Sequence, residues 1–553
     1  MKALYFSFLF FAVATVGVSQ STTITNPILA GFYPDPSICK VGSDYYLVCS
    51  SFAYFPGLPL FKSNDLVNWK QIGFVLDRPS QLPLEGAGVS RGLFAPTIRY
   101  NNGTFYVVCT LIDKGGNFIV TTKNPEAGWS EPIYIPQVNG IDPSLFFDDD
   151  DKAYIMYNSE PPQNKSLYQG HRTIRMYELD VAAMKVVGEE KILVNGGTDI
   201  SKKPVWIEAP HILMKDGIYY LICAEGGTAY EHSEVVFRSD KIFGEYIPYE
   251  KNPILTQRHL DRSRKNPITT TGHADFVEDD NGEWWAVFLG CRPYEGDYYN
   301  NGRETYMAPV QWKDGWPTIN PDFAEVQYHY SVKTKSVVKN ENQFSGNFSF
   351  TDNFDEDKLN VRYQFLRTPS EKWYNFSDKK GFLSLQLRAQ TCGEKTNPSF
   401  IGFRQQHLKG NASTAMDFIA QTENEKAGLL VFQNENHFYF LCKSVENNQQ
   451  VVQLYQSKEN NSMELITSQK VNDSTLQLKI EAKGNTYAFL FSTDKNHWVT
   501  LKENVDAKFL STQIAKGFVG SFFALYATSN GKASNNKAYF DWFNYQGNDE
   551  VYK

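Results

Sequence analysis

The chain has 553 residues, enough for two or three domains. Hydrophobic residues make up 42% and charged residues 21%, which excludes wholesale disorder. Lys and Arg total 54 against 62 for Asp and Glu, a net charge of −8 that leaves no electrostatic footprint for nucleic acid or an anionic membrane. Aromatic usage is high, with 40 Phe, 32 Tyr and 10 Trp together at 15%. Such a composition favours strands and also supplies rings on which sugars stack.

In chain order, the first element is a charged residue, Lys2, followed by an apolar run from Leu4 to Val18, with small Gly17 and Ser19 before Gln20. This pattern predicts a secretory signal peptide over residues 1–19. It is short of the about 20 apolar residues that a membrane span needs, and no later segment reaches that length. The mature chain is expected to be exported, to the periplasm rather than fully secreted. The seven cysteines are an odd count with no CxxC pair and no metal-ligand spacing. Cys39, Cys49, Cys109 and Cys223 sit in apolar strand-like runs, where buried free thiols are expected.

Five segments then repeat: Asp35-Pro-Ser-Ile, Ala95-Pro-Thr-Ile, Asp142-Pro-Ser-Leu, Ala209-Pro-His-Ile and Ala274-Asp-Phe-Val. Each is followed, after a polar turn, by a second strand marked by Tyr45-Tyr46, Phe105-Tyr106, Ala153-Tyr154, Tyr219-Tyr220 and Trp284-Trp285. Asn102-Gly103, Asp216-Gly217 and Asn281-Gly282 are hairpin signals. The spacing leaves room for two more strands per unit, with Asp65–Trp69 as an outer hairpin in the first. Units of four short strands predict an all-β, five-bladed β-propeller over residues 20–325, its last strand near Pro309–Ile319. A polar stretch over 326–346 reads as a linker. From Phe348 onward alternating strands without the repeat, such as Gly428–Phe432, Phe438–Cys442 and Gln477–Glu481, predict a β-sandwich domain over 347–553.

Three carboxylates open repeats within strongly apolar flanks: Asp35 in Tyr-Pro-Asp-Pro-Ser, Asp142 in Gly-Ile-Asp-Pro-Ser, and Glu208 in Trp-Ile-Glu-Ala-Pro-His. The first strand of a blade faces the propeller axis, so all three are expected to crowd one axial pocket. Carboxylates gathered there have their pKa values driven apart, one suited to act as acid and one as base. A pair flanking a glycosidic bond is the equipment of glycoside hydrolysis. His273, read at the repeat position equivalent to Glu208, should also face the axis, as a hydrogen-bonding group or beside a central cation. Arg303 in Asn-Gly-Arg-Glu-Thr suits vicinal sugar hydroxyls or an acidic partner. Phe52 and Phe94 lie where they could stack on a sugar. The chain has no GxSxG, no HExxH, no phosphate loop and no zinc signature, which removes support for serine nucleophiles and zinc hydrolysis. The Asp148–Asp151 run lacks EF-hand spacing and reads as a solvated turn.

Taken together, Phe-Tyr-Pro-Asp35-Pro-Ser, Gly-Ile-Asp142-Pro-Ser, Trp-Ile-Glu208-Ala-Pro-His, Gly-His273-Ala-Asp and Gly-Arg303-Glu-Thr resemble, in order, the motifs of glycoside hydrolase family 43. The resemblance extends to the branch of exported α-L-arabinofuranosidases and β-xylosidases that carry a C-terminal concanavalin-like sandwich. It implies Asp35 as general base, Glu208 as general acid and Asp142 as the residue that holds Glu208 and keeps its pKa high. It further implies inversion, with the Asp35 and Glu208 carboxyls about 6.5–9.5 Å apart. Arg303 would touch the terminal sugar, with Thr228, Phe52, Phe94 and His273 among the substrate contacts. No cofactor is implied, and a structural calcium near His273 is left open. Phe94 and Ala209 depart from the Trp and Gly common in relatives. The segment Gly517-Phe-Val-Gly-Ser-Phe-Phe523 is similar to one from which relatives push an aromatic toward the pocket. Phe518, Phe522 and Phe523 are the candidates, and Phe523 is placed in the site. The activity implied is exo release of terminal α-L-arabinofuranosyl residues from hemicellulose such as xyloglucan or arabinoxylan. Exo-β-1,4-xylosidase or dual activity is the alternative, and a non-catalytic glycan-binding protein would not need all three carboxylates.

Overall fold

The computed structural model describes residues 20–334, 343–472, 475–494 and 497–553; the expected signal peptide lies outside them. Each repeat forms one antiparallel sheet whose strands follow chain order. The first blade comprises Ser37–Val41, Asp44–Val48, Gly57–Ser63 and Lys70–Leu76. The second comprises Thr97–Asn101, Thr104–Leu111, Gly116–Thr122 and Ile133–Tyr134, and the third Ile141–Phe147, Ala153–Ser159, Thr173–Asp180 and Lys185–Asn195. Blade four runs from Glu208–Lys215 through Ile218–Glu225 and Ser233–Ser239 to Ile247–Pro248, with Leu255–Thr256 added to its third strand. Blade five comprises Thr269–Glu278, Trp284–Cys291, Glu304–Lys313 and Trp316–Ile319. Inner strands read as continuous apolar runs because both faces are packed. Ala153–Ser159 is buried throughout, whereas most of the outer strand Lys185–Asn195 is not.

First strands of neighbouring blades touch around the ring, and that of blade five meets that of blade one. This closing seam shares no strand. It is joined by Ser37 Oγ, which donates to Asp275 at 2.7 Å, and by the Asn26 amide, which donates to the Met307 carbonyl at 2.8 Å. Outside the ring, Gln20–Thr25 pairs antiparallel with His329–Thr334, a strand within the segment expected to be a linker.

Backbone geometry corrects one repeat alignment. Asp35, Asp142, Ala209 and His273 all have left-handed φ values, of 54, 53, 51 and 57°. Each stands two residues before the strand pairing resumes, at Ser37, Ser144, His211 and Asp275. His273 is thus the counterpart of Asp35 and Asp142, not of Glu208. The sequence alignment slips because the fifth hairpin closes between Asp279 and Glu283, one residue longer than the turn between Val41 and Asp44. Asp and His tolerate the left-handed region better than most residues. That turn is what swings their side chains to the axis.

The C-terminal part is a sandwich of two eight-stranded sheets. One of these is completed by the propeller: Tyr54–Phe55, from the loop between the second and third strands of blade one, pairs with Phe365 and Leu366 at its edge. The seam is densely bonded. Arg404 and Gln406 of the sandwich donate to the carbonyls of Phe32 and Ala30 at 2.6 and 2.7 Å, gripping the segment that leads into Asp35. The fully buried Arg292 of blade five pairs with Glu304 of its own blade and with Asp549 beyond the last sandwich strand. All seven cysteines are buried free thiols.

Candidate active site

The axial end formed by the repeat openings encloses a cavity of about 170 Å³. It is lined by Asp35, Asp142, Glu208, His273, Arg303, Thr228, Phe52 and Phe94, and also by Ala95, Ile141, Trp206 and Phe518. The volume is well below the ~300–1,000 Å³ of pockets that hold drug-sized ligands, and suits a single sugar ring. Eight of the nine side chains expected to form the site therefore meet in one cavity.

Asp35 is the best-paired carboxylate of the three. Arg303 donates to it through Nη1 at 2.7 Å and Nη2 at 3.4 Å, and Ser50 Oγ donates at 2.5 Å. His273 Nδ1 stands 3.7 Å away. Burial works to raise the Asp35 pKa, but Arg303, His273 and Ser50 overcome it and hold the carboxyl below its ordinary value. Thr228 Oγ1 accepts from the same Arg303 Nη1 at 3.0 Å and so helps to hold the guanidinium.

Asp142 and Glu208 have no such cation. Burial, then the charge of Asp35, pushes Asp142 up to about 7, against a hydrogen bond from the Ala209 backbone and the fields of Arg172 and Arg303. Burial, then Asp142 and Asp35, pushes Glu208 well above the usual carboxylate range, with Arg303 and Trp206 opposing. The three carboxyls are thus split into one held ionised and two inclined to keep a proton. His273 is driven down to about 4, chiefly by burial, and is neutral at ordinary pH.

Phe523 is the expected residue that the structure places elsewhere. Neighbours on a strand point to opposite faces, and in Phe522–Thr528 it is Phe522 that packs against Phe32 and Tyr54 of the propeller. Phe523 points between the sandwich sheets and packs on Tyr545. The aromatic in the cavity is Phe518, from the loop before that strand. Its ring stacks on Phe52 at 5.8 Å and meets Phe94 edge-on at 6.1 Å. Its backbone N–H donates to Ser90 Oγ of the propeller at 3.0 Å. The loop comes this close because Gly520 lies flat against the backbone of Asn301 and Gly302; a Cβ on Gly520 would fall 2.4 Å from the Asn301 carbonyl oxygen. The sandwich thereby closes one wall of a site otherwise made by the propeller.

Below His273 the axis carries a second polar cluster. Arg99 donates to both Asp275 oxygens, at 2.7 and 3.1 Å, and lies 3.0 Å from His211 Nδ1. Trp206 and Ser50 were not singled out as site residues by sequence reasoning. Trp206 carries a signal in hindsight, since it stands two residues before Glu208 in the same motif. Ser50 carries none, because its reach to Asp35 depends on the hairpin between them.

Comparisons with known proteins agree with this geometry. Residues 24–317 match the family model of glycosyl hydrolases family 43, and residues 351–546 match that of the beta xylosidase C-terminal concanavalin A-like domain. A xylosidase/arabinosidase from Butyrivibrio fibrisolvens is 40% identical over 532 residues, 94% of this chain and 98% of that protein. The non-reducing end alpha-L-arabinofuranosidase BoGH43B from Bacteroides ovatus is 36% identical over 539 residues, 97% of this chain and 96% of its own. Among solved structures, a family 43 protein retrieved from a capybara gut metagenome superposes with a TM-score of 0.84 at 40% identity, covering 92% of this chain and 96% of that one. With the axial carboxylates, the propeller and the sandwich all accounted for by one group of proteins, the chain belongs to glycoside hydrolase family 43.

Proposed function

We propose that this glycoside hydrolase removes single terminal α-L-arabinofuranosyl residues from hemicellulose side chains, such as those of xyloglucan or arabinoxylan, with inversion at the anomeric carbon. The observation that carries the reading is the division of charge across a one-sugar cavity: Asp35 held ionised by Arg303, and Glu208 held protonated by burial and its acidic neighbours. Asp35 takes a proton from water as that water attacks the anomeric carbon. Glu208 gives its proton to the departing oxygen, and the two roles need no covalent sugar–enzyme intermediate. Asp142, bonded to the backbone of Ala209, braces the residue next to Glu208 and keeps the acid protonated. Phe52, Phe94 and Phe518 enclose the ring, and Phe518 blocks extension past it, which favours exo cleavage.

Exo-β-1,4-xylosidase activity on xylo-oligosaccharides is the second reading, favoured by the match of residues 351–546 to the beta xylosidase C-terminal domain. Proton NMR of sugar released from matched aryl α-L-arabinofuranoside and β-D-xylopyranoside, followed from the first minutes, separates the two. Faster arabinose release, first seen as the β anomer, is the expected result. Faster xylose release moves the assignment to the xylosidase, and first appearance of the retained anomer overturns the mechanism.

No step in this reading uses a cofactor. A calcium ion beside His273 is poorly supported by the donor set: His211 and the Asp275 carboxylate are already engaged by the Arg99 guanidinium, whose own charge would repel a cation. Among the described residues no group of three or more His, Cys, Asp or Glu side chains is arranged to hold a metal. Export rests on the apolar run Leu4–Val18, and the periplasm is the compartment proposed. Among the described residues no helix is long and apolar enough to cross a membrane.

The Asp142 role makes a pH prediction. Glu208 must be protonated to act, so kcat/KM falls as pH rises through its raised pKa. In Asp142→Asn the like charge is gone, the Glu208 pKa falls, and the alkaline limb should move to lower pH. An unmoved limb in that variant would show that Asp142 does not tune the acid.

A further inference from the structure

Three side chains around Glu208 are given no catalytic step above: Arg172, Asn158 and Trp206, whose side chain hydrogen-bonds Glu208. Trp206 lies two residues before the acid, with a left-handed φ of 60°, and its backbone N–H donates to the Gly170 carbonyl at 2.7 Å. Its ring lines the cavity, and the guanidinium of Arg172 lies over it, 4.8 Å from the centroid. Arg172 is only 6% exposed, and Asn158 is wholly buried.

These contacts form a chain. Arg172 Nε donates to Asn158 Oδ1 at 2.7 Å, and Asn158 Nδ2 donates to the Ile207 carbonyl at 2.9 Å. The guanidinium thus fixes which way the Asn158 amide faces, oxygen to Arg172 and nitrogen to Ile207. Glu160 holds the far side of the guanidinium. Blade three consequently grips both residues that precede the acid, Trp206 by its ring and Ile207 by its carbonyl. Asn158 also pairs in the sheet with Ile141, the neighbour of Asp142. The same brace therefore ties the acid's segment to the strand that carries Asp142.

We propose that Arg172 and Asn158 are positioning residues for proton donation, holding Trp206-Ile207-Glu208 so that the Glu208 carboxyl meets the leaving oxygen. The proposal rests on Glu208 being the general acid. A cation over an indole, largely desolvated, is a firm contact, and the Asn158 amide bridges Arg172 to the Ile207 carbonyl. A small displacement of a reacting group costs on the order of 10²-fold in rate. Loosening this segment should therefore slow the proton-dependent step selectively.

The test is a series of aryl and alkyl glycosides of graded leaving-group pKa, assayed with wild type, Arg172→Met, Arg172→Lys, Asn158→Ala and Glu208→Ala. Arg172→Met and Asn158→Ala should lose about 10- to 100-fold on the poorest leaving groups, the range of a misplaced catalytic group, and little on the best one. Lysine should not rescue, because it lacks the flat fork that both stacks on Trp206 and bonds Asn158. Near-normal turnover of the best leaving group also reports that each variant is folded. Should Arg172→Met not fold, Asn158→Ala tests the Ile207 contact alone. Equal loss across the series, or none, in these variants while Glu208→Ala shows the steep dependence overturns the brace. Equal loss in Glu208→Ala itself overturns the general-acid reading instead.

Discussion

Asp35→Asn should retain the fold and lose activity by about 10²–10⁴-fold, the range that a general base supplies. The structure makes Asn the better probe than Ala. Arg303 is buried and has Asp35 as its ionic partner, with Thr228 as a neutral second contact. Either substitution removes the charge opposite that guanidinium, at a cost of about 3–5 kcal/mol for breaking a buried pair from one side, and Ala also removes its hydrogen-bond acceptor. Asn keeps one acceptor oxygen, enough for Ser50 Oγ and Arg303 Nη2 but not for Nη1 as well, and cannot accept the proton of the attacking water. Thermal melting then separates the two effects: Asp35→Ala should melt well below wild type and Asp35→Asn closer to it, with both nearly inactive. Added azide, which needs no deprotonation, should restore part of the turnover in either variant and give the inverted glycosyl azide. A wild-type rate in Asp35→Asn would end the assignment of this residue as base.

The parts of the site that were legible in the sequence are those tied to the repeat. Asp35 and Asp142 occupy one repeat position and Glu208 the one before it, so a blade count alone brings them to one axis. Arg303 was legible in Asn-Gly-Arg-Glu-Thr, while Thr228 lies in none of the motifs, and the two meet Asp35 as a single hydrogen-bonded unit. His273 reached the cavity by a correct inference from a wrong register. The turn at Asp279–Glu283 is one residue longer than its counterpart in blade one, and a fixed offset in sequence cannot see that. Phe523 failed for a different reason. Alternation along Phe522–Thr528 says which faces its residues take, but not which face meets the propeller, and the cavity aromatic, Phe518, precedes the strand altogether. Contacts spanning distant segments were silent: Tyr54–Phe55 completing a sandwich sheet, Arg404 gripping Phe32, and Asn158 holding Ile207 all depend on tertiary packing that no local pattern encodes.

For Glu208→Ala the expected loss depends on the substrate. Glycosides of poor leaving groups should slow by about 10²–10⁴-fold, whereas an aryl glycoside whose phenolate departs unprotonated should be hydrolysed at a rate close to wild type. The alkaline limb that wild type shows on poor leaving groups should be absent from the variant's profile on this activated substrate, since neither its departure nor the variant depends on that acid. Stability gives an independent check with a definite sign. The Glu208 pKa is raised in the folded protein, so the native state binds more protons than the unfolded chain between the two pKa values. That contribution is present in full below the unfolded value and is lost as pH rises through the folded one. Glu208→Gln, which cannot ionise, should escape this loss, and its melting temperature should gain on wild type as pH is raised. Asp142, pushed up to about 7 beside it, adds to the same trend, and because the two carboxyls repel each other the difference between the proteins reports the pair. Melting curves that stay parallel at every pH would mean that folding leaves the Glu208 pKa at its ordinary value, so the carboxyl is ionised near neutral pH and has no proton to give the leaving oxygen.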